Sequence, residues 1–180
     1  MRKVVAYTLV SVDGVAESPE QFLLEFDEVM EANLGEVIAT QDTVLLGRRM
    51  YDEWSAHWPK SDDQPFADFI NTVQKYVATA TPLTREWTNA EPVRGPVEDF
   101  VRTLKAGDGG DIGIHGSLSL TRSLLAAGLV DEVRLLVAPR VVGTGRRLFE
   151  DDTGYPLELV RSVGSPSGSL LVHYRVVTGD

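Results

Sequence analysis

Strand-like and helix-like stretches of apolar residues alternate through the first two thirds of the chain. Residues 3–11 are almost continuously apolar, which is typical of a strand that is buried on both faces. Near the C-terminus the pattern changes, because residues 157–163 and 169–177 alternate between apolar and polar positions. The predicted strands cover residues 3–11, 43–46, 75–81, 112–114, 132–139, 157–163 and 169–177.

Apolar residues recur at three- and four-residue spacing between the predicted strands, which indicates amphipathic helices. The longest covers residues 19–35, where Ser18 is the expected N-cap and Pro19 occupies the first turn. A further helix starts at Gly47, and Gly128 is the expected C-terminal stop of the last one. The remaining predicted helices cover residues 66–70, 96–106 and 118–127.

This alternation predicts an α/β fold in which helices cover both faces of a mostly parallel sheet. Residues 164–168, GSPSG, are typical of a hairpin loop, so the last two strands add an antiparallel hairpin and make the sheet mixed. No stretch has the composition of a linker, and the 180 residues are therefore predicted to form a single domain, 1–180.

Two of the predicted strands run through a glycine directly into a helix. Gly116-Ser117 follows the strand at 112–114, and Gly47 follows the strand at 43–46. The first backbone N–H groups of a helix have no partner within the helix and carry the positive end of its dipole, so such a junction suits a phosphate. Arg48 and Arg49 follow Gly47 at a position where cations oppose that dipole, and a bound anion would relieve the conflict.

Composition excludes several classes of protein. The net charge of −10 argues against nucleic acid as a partner, which leaves a small molecule as the expected ligand. No apolar run approaches the roughly 20 residues that cross a bilayer, so no membrane partner is expected. The chain has no cysteine, as suits the reducing cytoplasm, and His57, His115 and His173 lack metal-ligand spacing, so no metal is expected.

Three motifs in the chain resemble those of a known superfamily. They are SVDG at 11–14, LLGRRMY at 45–51 and the long motif IGIHGSLSLTRSLLAAGLVDEVRLLVAPRVVGTGRRLF at 112–149. Together they resemble the dihydrofolate-reductase-like superfamily, and within it the C-terminal reductase domain of the bacterial bifunctional riboflavin-biosynthesis deaminase–reductase. This resemblance covers the whole chain and implies a three-layer αβα fold and an NADPH-dependent reductase.

The resemblance also implies which residues hold the cofactor. The glycine–serine turn and the early glycine–arginine junction would contact the pyrophosphate, and the arginines would contact the 2′-phosphate together with hydroxyls after the next strand. The loop after the first strand, residues 13–16, would lie near the nicotinamide. The implied cofactor-binding residues are Val15, Ala16, Gly47, Arg48, Arg49, Met50, Thr79, Thr81, Gly116, Ser117, Leu118 and Ser119.

The chain departs from the family pattern in two ways. Met50 stands where the family has a threonine, so one hydroxyl donor to phosphate is missing, at a cost of about 0.5–1.5 kcal/mol. The deaminase half of the bifunctional enzyme needs a zinc site with cysteine ligands, and this chain has no cysteine. We therefore expect only the reductase part.

Two carboxylates are candidate catalytic residues. Asp13 could orient substrate or relay a proton, or it could be a turn residue of the Asp-Gly pair. Asp27 could be a general acid if burial raises its pKa, or it could belong to an acidic helix face with Glu28 and Glu31. Arg146 and Arg147 have two interpretations as well, because they could bind a substrate phosphate or close a turn.

The sequence thus predicts an oxidoreductase that transfers a hydride from NADPH to a small heterocyclic or carbonyl substrate, as in 5-amino-6-(5-phosphoribosylamino)uracil reduction. Dihydrofolate reduction is one alternative, and it requires a buried acid on the helix at 19–35. A non-catalytic NADP-binding protein is the other. Apolar strands near the C-terminal edge of the sheet also predict a homodimer.

Overall fold

The computed structural model describes residues 1–150 and 153–177. Within these residues the strands are β1 Val4–Ser11, β2 Gln41–Gly47, β3 Gln74–Ala78, β4 Ala90–Pro92, β5 Asp111–His115, β6 Glu132–Ala138, β7 Leu157–Gly164 and β8 Leu170–Val176. They form one eight-stranded sheet with the order β4-β3-β2-β5-β1-β6-β8-β7. All pairs from β4 to β6 are parallel, whereas β8 is antiparallel to both of its neighbours, β6 and β7.

Helices cover both faces of this sheet, as the alternating pattern predicts. On one face, Val101 and Leu124 of the fourth and fifth helices pack against Val4 and Ile114. On the other face, side chains of the first three helices pack against the opposite sides of the same strands. The helices are α1 Glu28–Ala39, α2 Arg48–His57, α3 Phe66–Thr72, α4 Val97–Ala106 and α5 Leu118–Ala126.

The predicted helix at 19–35 is wrong in its first half. Only a 3₁₀ turn forms at Pro19–Gln21, and Ser18, the expected N-cap, lies in the left-handed region at φ 53° and makes no capping bond. The helix begins at Glu28 and continues to Ala39. Its cap is Asp27, whose carboxylate accepts hydrogen bonds from the backbone N–H groups of Val29 and Met30.

Two other differences from the sequence prediction concern β3 and β4. The strand predicted at 75–81 runs from Gln74 to Ala78, and the segment after it contains a short strand, β4, where a loop was expected. β4 has three residues, lies at the edge of the sheet and contains Pro92. A proline cannot donate to a ladder, which is why the sequence pattern there does not resemble a strand.

Candidate functional site

A cleft of about 1120 Å³ opens at the carboxyl edge of the central strands, on the face covered by α1, α2 and α3. Tyr7 of β1 and His115 of β5 line it, and these two residues are neighbours in the parallel pairing of their strands. Ligands of such sheets bind outside the carboxyl ends of the strands. The cleft also exceeds the usual volume of about 300–1,000 Å³ for a small-molecule pocket.

The two glycine junctions predicted from sequence meet at one end of this cleft. β2 and β5 are parallel neighbours, so α2 and α5 begin side by side. The backbone N–H of Gly47 donates to Ser117 Oγ at 3.0 Å, which joins the two junctions directly. Neither helix has a side-chain cap. We call residues 47–50 and 116–119 the anion end of the cleft, because their first-turn N–H groups and helix dipoles favour negative charge.

Gly116 and Met50 determine the shape of this end. Gly116 has φ +64°, a conformation that L residues rarely adopt. A Cβ atom there would come within 2.9 Å of Met50 Cε. The methionine therefore packs over the glycine turn.

Arg48 connects the start of α2 to the loop after β3. Its guanidinium donates to Asp52 at 2.9 Å, to Thr79 Oγ1 at 3.2 Å and to Thr81 Oγ1 at 2.5 Å. Thr79 and Thr81 do not line the cleft, although Arg48 does. The structure thus brings together the arginine and both threonines of the expected cofactor set in one exposed cluster.

Arg49 and Arg146 approach the anion end from opposite sides, and Glu17 lies between them. Arg49 forms ion pairs with Glu53 at 3.0 Å and Glu17 at 3.1 Å, and these acids raise its pKa. Glu17 also accepts the backbone N–H of Arg146 at 3.2 Å. The Arg146 guanidinium donates to Ser119 Oγ at 2.8 Å and lines the cleft. Glu17 has no motif around it, and sequence reasoning missed it.

Asp13 lies outside the cleft and holds two loops together. Its carboxylate accepts hydrogen bonds from Ser11 Oγ at 2.6 Å and from the backbone N–H groups of Val142 at 3.0 Å and Gly143 at 2.8 Å. These bonds, with Ser11 first, hold the pKa of Asp13 far below its ordinary value. The geometry favours the turn interpretation, because the carboxylate accepts from Ser11 at the end of β1 and from the backbone of a distant loop, and none of these residues lines the cleft.

Arg147 and Val15 belong to the same structural contact. The Arg147 guanidinium donates to the backbone oxygen of Asp13 at 3.0 Å, and Arg147 pairs with Val15 in an isolated antiparallel bridge. The Val15 side chain is fully buried and packs with Phe22 and Ala138, whereas the next residue, Ala16, lines the cleft. Arg147 therefore closes a turn, and Arg146 is the one of the two arginines that lines the cleft.

Asp27 does not have the environment of a general acid. Burial by itself would raise its pKa, but hydrogen bonds from Ser167 and from the N-terminus of α1 outweigh it and lower the pKa to about 2. The carboxylate is thus ionised at neutral pH and has no proton to donate. Asp27 also lies outside the cleft, whereas Glu31 lines the cleft but is exposed. None of the acids at 19–35 is therefore the buried acid that dihydrofolate reduction requires.

At the other end of the cleft, which we call the aromatic end, the floor is Tyr7 and His115 and the walls are Trp54, Trp58 and Phe66. His115 is 2% exposed, and its Nε2 lies 2.8 Å from Gln41 Oε1. Burial lowers the pKa of His115 to about 3, so the ring is neutral. The histidine is therefore a satisfied floor residue.

Two negative findings apply to residues 1–150 and 153–177. No group of three or more His, Cys, Asp or Glu side chains there is arranged to hold a metal ion. No helix in the same ranges is long and apolar enough to span a membrane.

Two bacterial proteins are similar to this chain along most of its length. YyaP of Bacillus subtilis, an uncharacterized protein, is 30% identical over 157 residues, which cover 83% of this chain and 81% of YyaP. YwjB, also an uncharacterized protein of Bacillus subtilis, is 26% identical over 176 residues, which cover 96% of this chain and 97% of YwjB. Neither name describes an activity.

Several solved structures share the fold. A Shewanella sp. PV-4 protein named for riboflavin biosynthesis superposes with a TM-score of 0.79 at 16% identity and covers 98% of this chain and 99% of its own. The deaminase/5-amino-6-(5-phosphoribosylamino)uracil reductase of Thermotoga maritima gives 0.67 at 14% identity; the match covers 98% of this chain and 57% of that longer protein. Dihydrofolate reductase of Enterococcus faecalis, complexed with NADP(H), gives 0.65 at 14% identity and covers 97% of this chain and 96% of its own.

At these identities the structures establish a common fold, and a family model goes further. The model of the RibD C-terminal domain matches residues 2–169. The long motif that carries the resemblance in sequence, residues 112–149, lies within this match. This chain belongs to the RibD C-terminal domain family and has the dihydrofolate-reductase-like fold.

Proposed function

We propose that this protein is an NADPH-dependent reductase that transfers a hydride to a small heterocyclic or carbonyl substrate. The observation that carries the proposal is the pair of uncapped helix N-termini joined by the Gly47–Ser117 hydrogen bond at the edge of a deep cleft. Family membership supports it, because one relative is named a uracil reductase and another binds NADP(H).

The anion end suits the pyrophosphate of a dinucleotide. The first-turn N–H groups of α2 and α5 are donors without a side-chain partner, and Arg146 adds a cation beside Ser119. Oriented backbone donors and an arginine are the groups that bind phosphate oxygens in proteins. The donor set of this chain therefore fits the cofactor that the family implies.

The cluster of Arg48, Thr79 and Thr81 would hold the 2′-phosphate that distinguishes NADPH from NADH. The guanidinium already bonds to both hydroxyls, so the three groups present one cation and two further donors at the same exposed surface. A phosphate there would share the cation with Asp52. We therefore expect a preference for NADPH and not exclusive use of it.

The proposed hydride transfer depends on the placement of substrate and cofactor more than on an ionisable side chain. NADPH, when bound, supplies a hydride to a carbon of a C=O or C=N bond and leaves as NADP⁺, while water supplies the proton to the neighbouring oxygen or nitrogen. The chain would contribute an aromatic surface on which a substrate ring can pack. Neutral His115 is not an imidazolium and ionised Asp27 carries no proton, so neither would act as a general acid at neutral pH.

A thermal-shift comparison of NADPH with NADH tests the proposal. NADPH should raise the melting temperature of the protein clearly more than NADH does at equal concentration, because only NADPH offers a group to Arg48. Arg48→Ala should reduce the NADPH shift towards the NADH value. Equal shifts of the native protein by both cofactors would contradict the assigned 2′-phosphate site.

Arg102→Ala is the matched control for this experiment. Arg102 also lies on a helix and forms an ion pair within that helix, with Asp99 at 2.9 Å, but it does not line the cleft. The variant should keep the full NADPH shift. If Arg48→Ala fails to fold while Arg102→Ala folds normally, the bonds of Arg48 to the loop after β3 are structural and the cofactor assignment fails.

A further inference from the structure

Three aromatic rings line the aromatic end of the cleft. The rings of Trp54 and Trp58 meet edge to face with centroids 5.8 Å apart, and Trp54 meets Phe66 in the same way at 5.5 Å. Tyr7 in the floor is 6% exposed, and its buried hydroxyl has no hydrogen-bond partner among the described residues. Buried polar atoms in proteins are nearly always paired, so this hydroxyl marks a place for a ligand heteroatom.

The cleft also carries carboxylates without an ion-pair partner in the described part of the chain. The cleft is lined by carboxylates that form no ion pair with any residue in 1–150 or 153–177, namely Glu20, Glu31, Asp62 and Asp63. The lining arginines belong to the anion end, and each is already bonded: Arg48 to Asp52, Arg49 to Glu17 and Glu53, and Arg146 to Ser119.

Asp62 and Asp63 lie too far from those arginines to be neutralised by them. α2 has ten residues, so it separates its N-terminal arginines from the segment that follows it by about 15 Å. Asp62 and Asp63 lie in that segment, after the 3₁₀ turn Trp58–Lys60. Charges this far apart in solvent are largely screened at physiological salt, where the Debye length is about 8 Å.

Resting on the proposed function, we infer that the substrate is a flat nitrogen heterocycle that is neutral or cationic and carries no phosphate or carboxylate. The aromatic walls accept the face and edge of a ring. A phosphate taken out of water needs cationic partners, and carboxylates repel it. The substrate named for the Thermotoga maritima relative is phosphoribosylated, so this chain would differ from that protein in substrate class.

A matched series of pterins tests this inference on the NADP⁺-saturated protein. Titration calorimetry would measure the Kd of 6-methylpterin, 6-aminomethylpterin and 6-carboxypterin, which are neutral, cationic and anionic at the side group. We expect the carboxylate to bind at least about tenfold more weakly than the methyl compound at low salt. The difference in Kd should narrow at 0.5 M NaCl because salt screens exposed charges. The Debye length falls from about 10 Å at 0.1 M to about 3 Å at 1 M.

Charge reversal at Asp62 and Asp63 tests whether these carboxylates cause the difference in Kd. The double variant D62K/D63K should bind 6-carboxypterin as tightly as 6-methylpterin, whereas E86K/E91K, which makes the same change in net charge on exposed residues outside the cleft, should keep the native gap. If D62K/D63K does not fold, E31Q and the salt dependence of the native protein test the same point.

The inference is overturned if 6-carboxypterin binds the native protein as tightly as the neutral compound, if none of the three pterins binds, or if E86K/E91K removes the gap. Failure of the proposed function is a separate outcome. In that case NADP⁺ does not shift the melting temperature, and the same titrations on the cofactor-free protein still measure the charge preference of the aromatic end.

Discussion

Single hydrogen bonds fix the positions of residues that line the cleft of this protein. Ser117 is 6% exposed and accepts the Gly47 N–H, so one hydroxyl fixes the spacing between two helix starts. Sequence alone predicts an anion site at each of the two glycine junctions. It does not identify the bond between them, because the two residues are 70 positions apart and no local pattern encodes the pairing of β2 with β5.

Replacement of Ser117 tests that bond. Ser117→Ala should lower the free energy of unfolding by about 0.5–1.5 kcal/mol, the typical net contribution of one neutral hydrogen bond. It should also weaken NADPH binding, because the Gly47 N–H then has no acceptor and the two helix starts lose their fixed spacing. Chemical denaturation and a fluorescence titration with NADPH measure the two effects.

Ser123→Ala on the same helix is the control. Ser123 is exposed and donates to Glu98 at 2.9 Å, away from the cleft. This variant should change stability slightly and leave the Kd for NADPH unaltered. If Ser117→Ala binds NADPH as tightly as the native protein does, the anion end does not depend on the bond.

Other residue-level expectations differ in outcome for physical reasons. Asp27 resembles a helix-face acid in sequence because Phe22 and Phe26 have helical spacing, yet Phe22 is buried in the loop core and Phe26 is 43% exposed. The spacing is therefore accidental, and Asp27 ends the loop as a cap. Sequence does not decide between the two roles of Asp13, because the backbone N–H groups that donate to its carboxylate, at 142–143, are contributed by a distant turn.

Elements are predicted well where burial alone shapes the pattern. The central strands follow from a nearly continuous apolar pattern because they are buried on both faces, and α4 and α5 follow from helical periodicity because each buries one face. The errors lie where side-chain bonds set the boundary, as at the start of α1. Between α3 and β3 the boundary depends on Lys75, which is 0% exposed and donates to the carbonyl oxygens of Ile70 at 2.8 Å and Val73 at 2.7 Å.

Lys75 should make stability depend on pH in the alkaline range. Burial lowers its pKa from 10.5 to about 8 in the folded protein. Between these values the unfolded chain binds more protons than the folded one, so the free energy of unfolding should rise with pH from about 8 upward, by at most about 1.4 kcal/mol per pH unit. Urea denaturation between pH 7.5 and 9.5 measures this slope.

Lys75→Met should remove that rise, because the buried group no longer titrates. Lys60→Met serves as the comparison, since Lys60 is exposed on the 3₁₀ turn after α2 and should leave the slope in place. Parallel stability curves for the native protein and Lys75→Met would show that Lys75 does not carry the dependence.

At the scale of the whole molecule, the sheet has two edges that differ in character. The β4 edge is three residues long with a proline, which discourages pairing with another chain. The β7 edge has eight residues and exposes Leu159 at 53% and Val160 at 54%. We propose that two copies associate through this edge, as the apolar C-terminal strands suggest in sequence.

Sedimentation velocity at micromolar concentration checks this proposal. The native protein should sediment as a dimer, and L159K/V160K should sediment as a monomer, because lysines on an edge strand oppose pairing. Leu24→Lys alters an apolar side chain that is 68% exposed elsewhere and should leave the dimer intact. A monomeric native protein would refute the association.

The bond between Gly47 and Ser117 also bears on how the chain acquires its binding capacity. The two halves of the anion end are contributed by segments 70 residues apart, and closure of so long a loop costs entropy before any parallel pairing can offset it. A folding intermediate that contains β5 and α5 alone has only one half of the anion end. A ligand that needs both halves would therefore stabilise the chain only after β2 and β5 have paired.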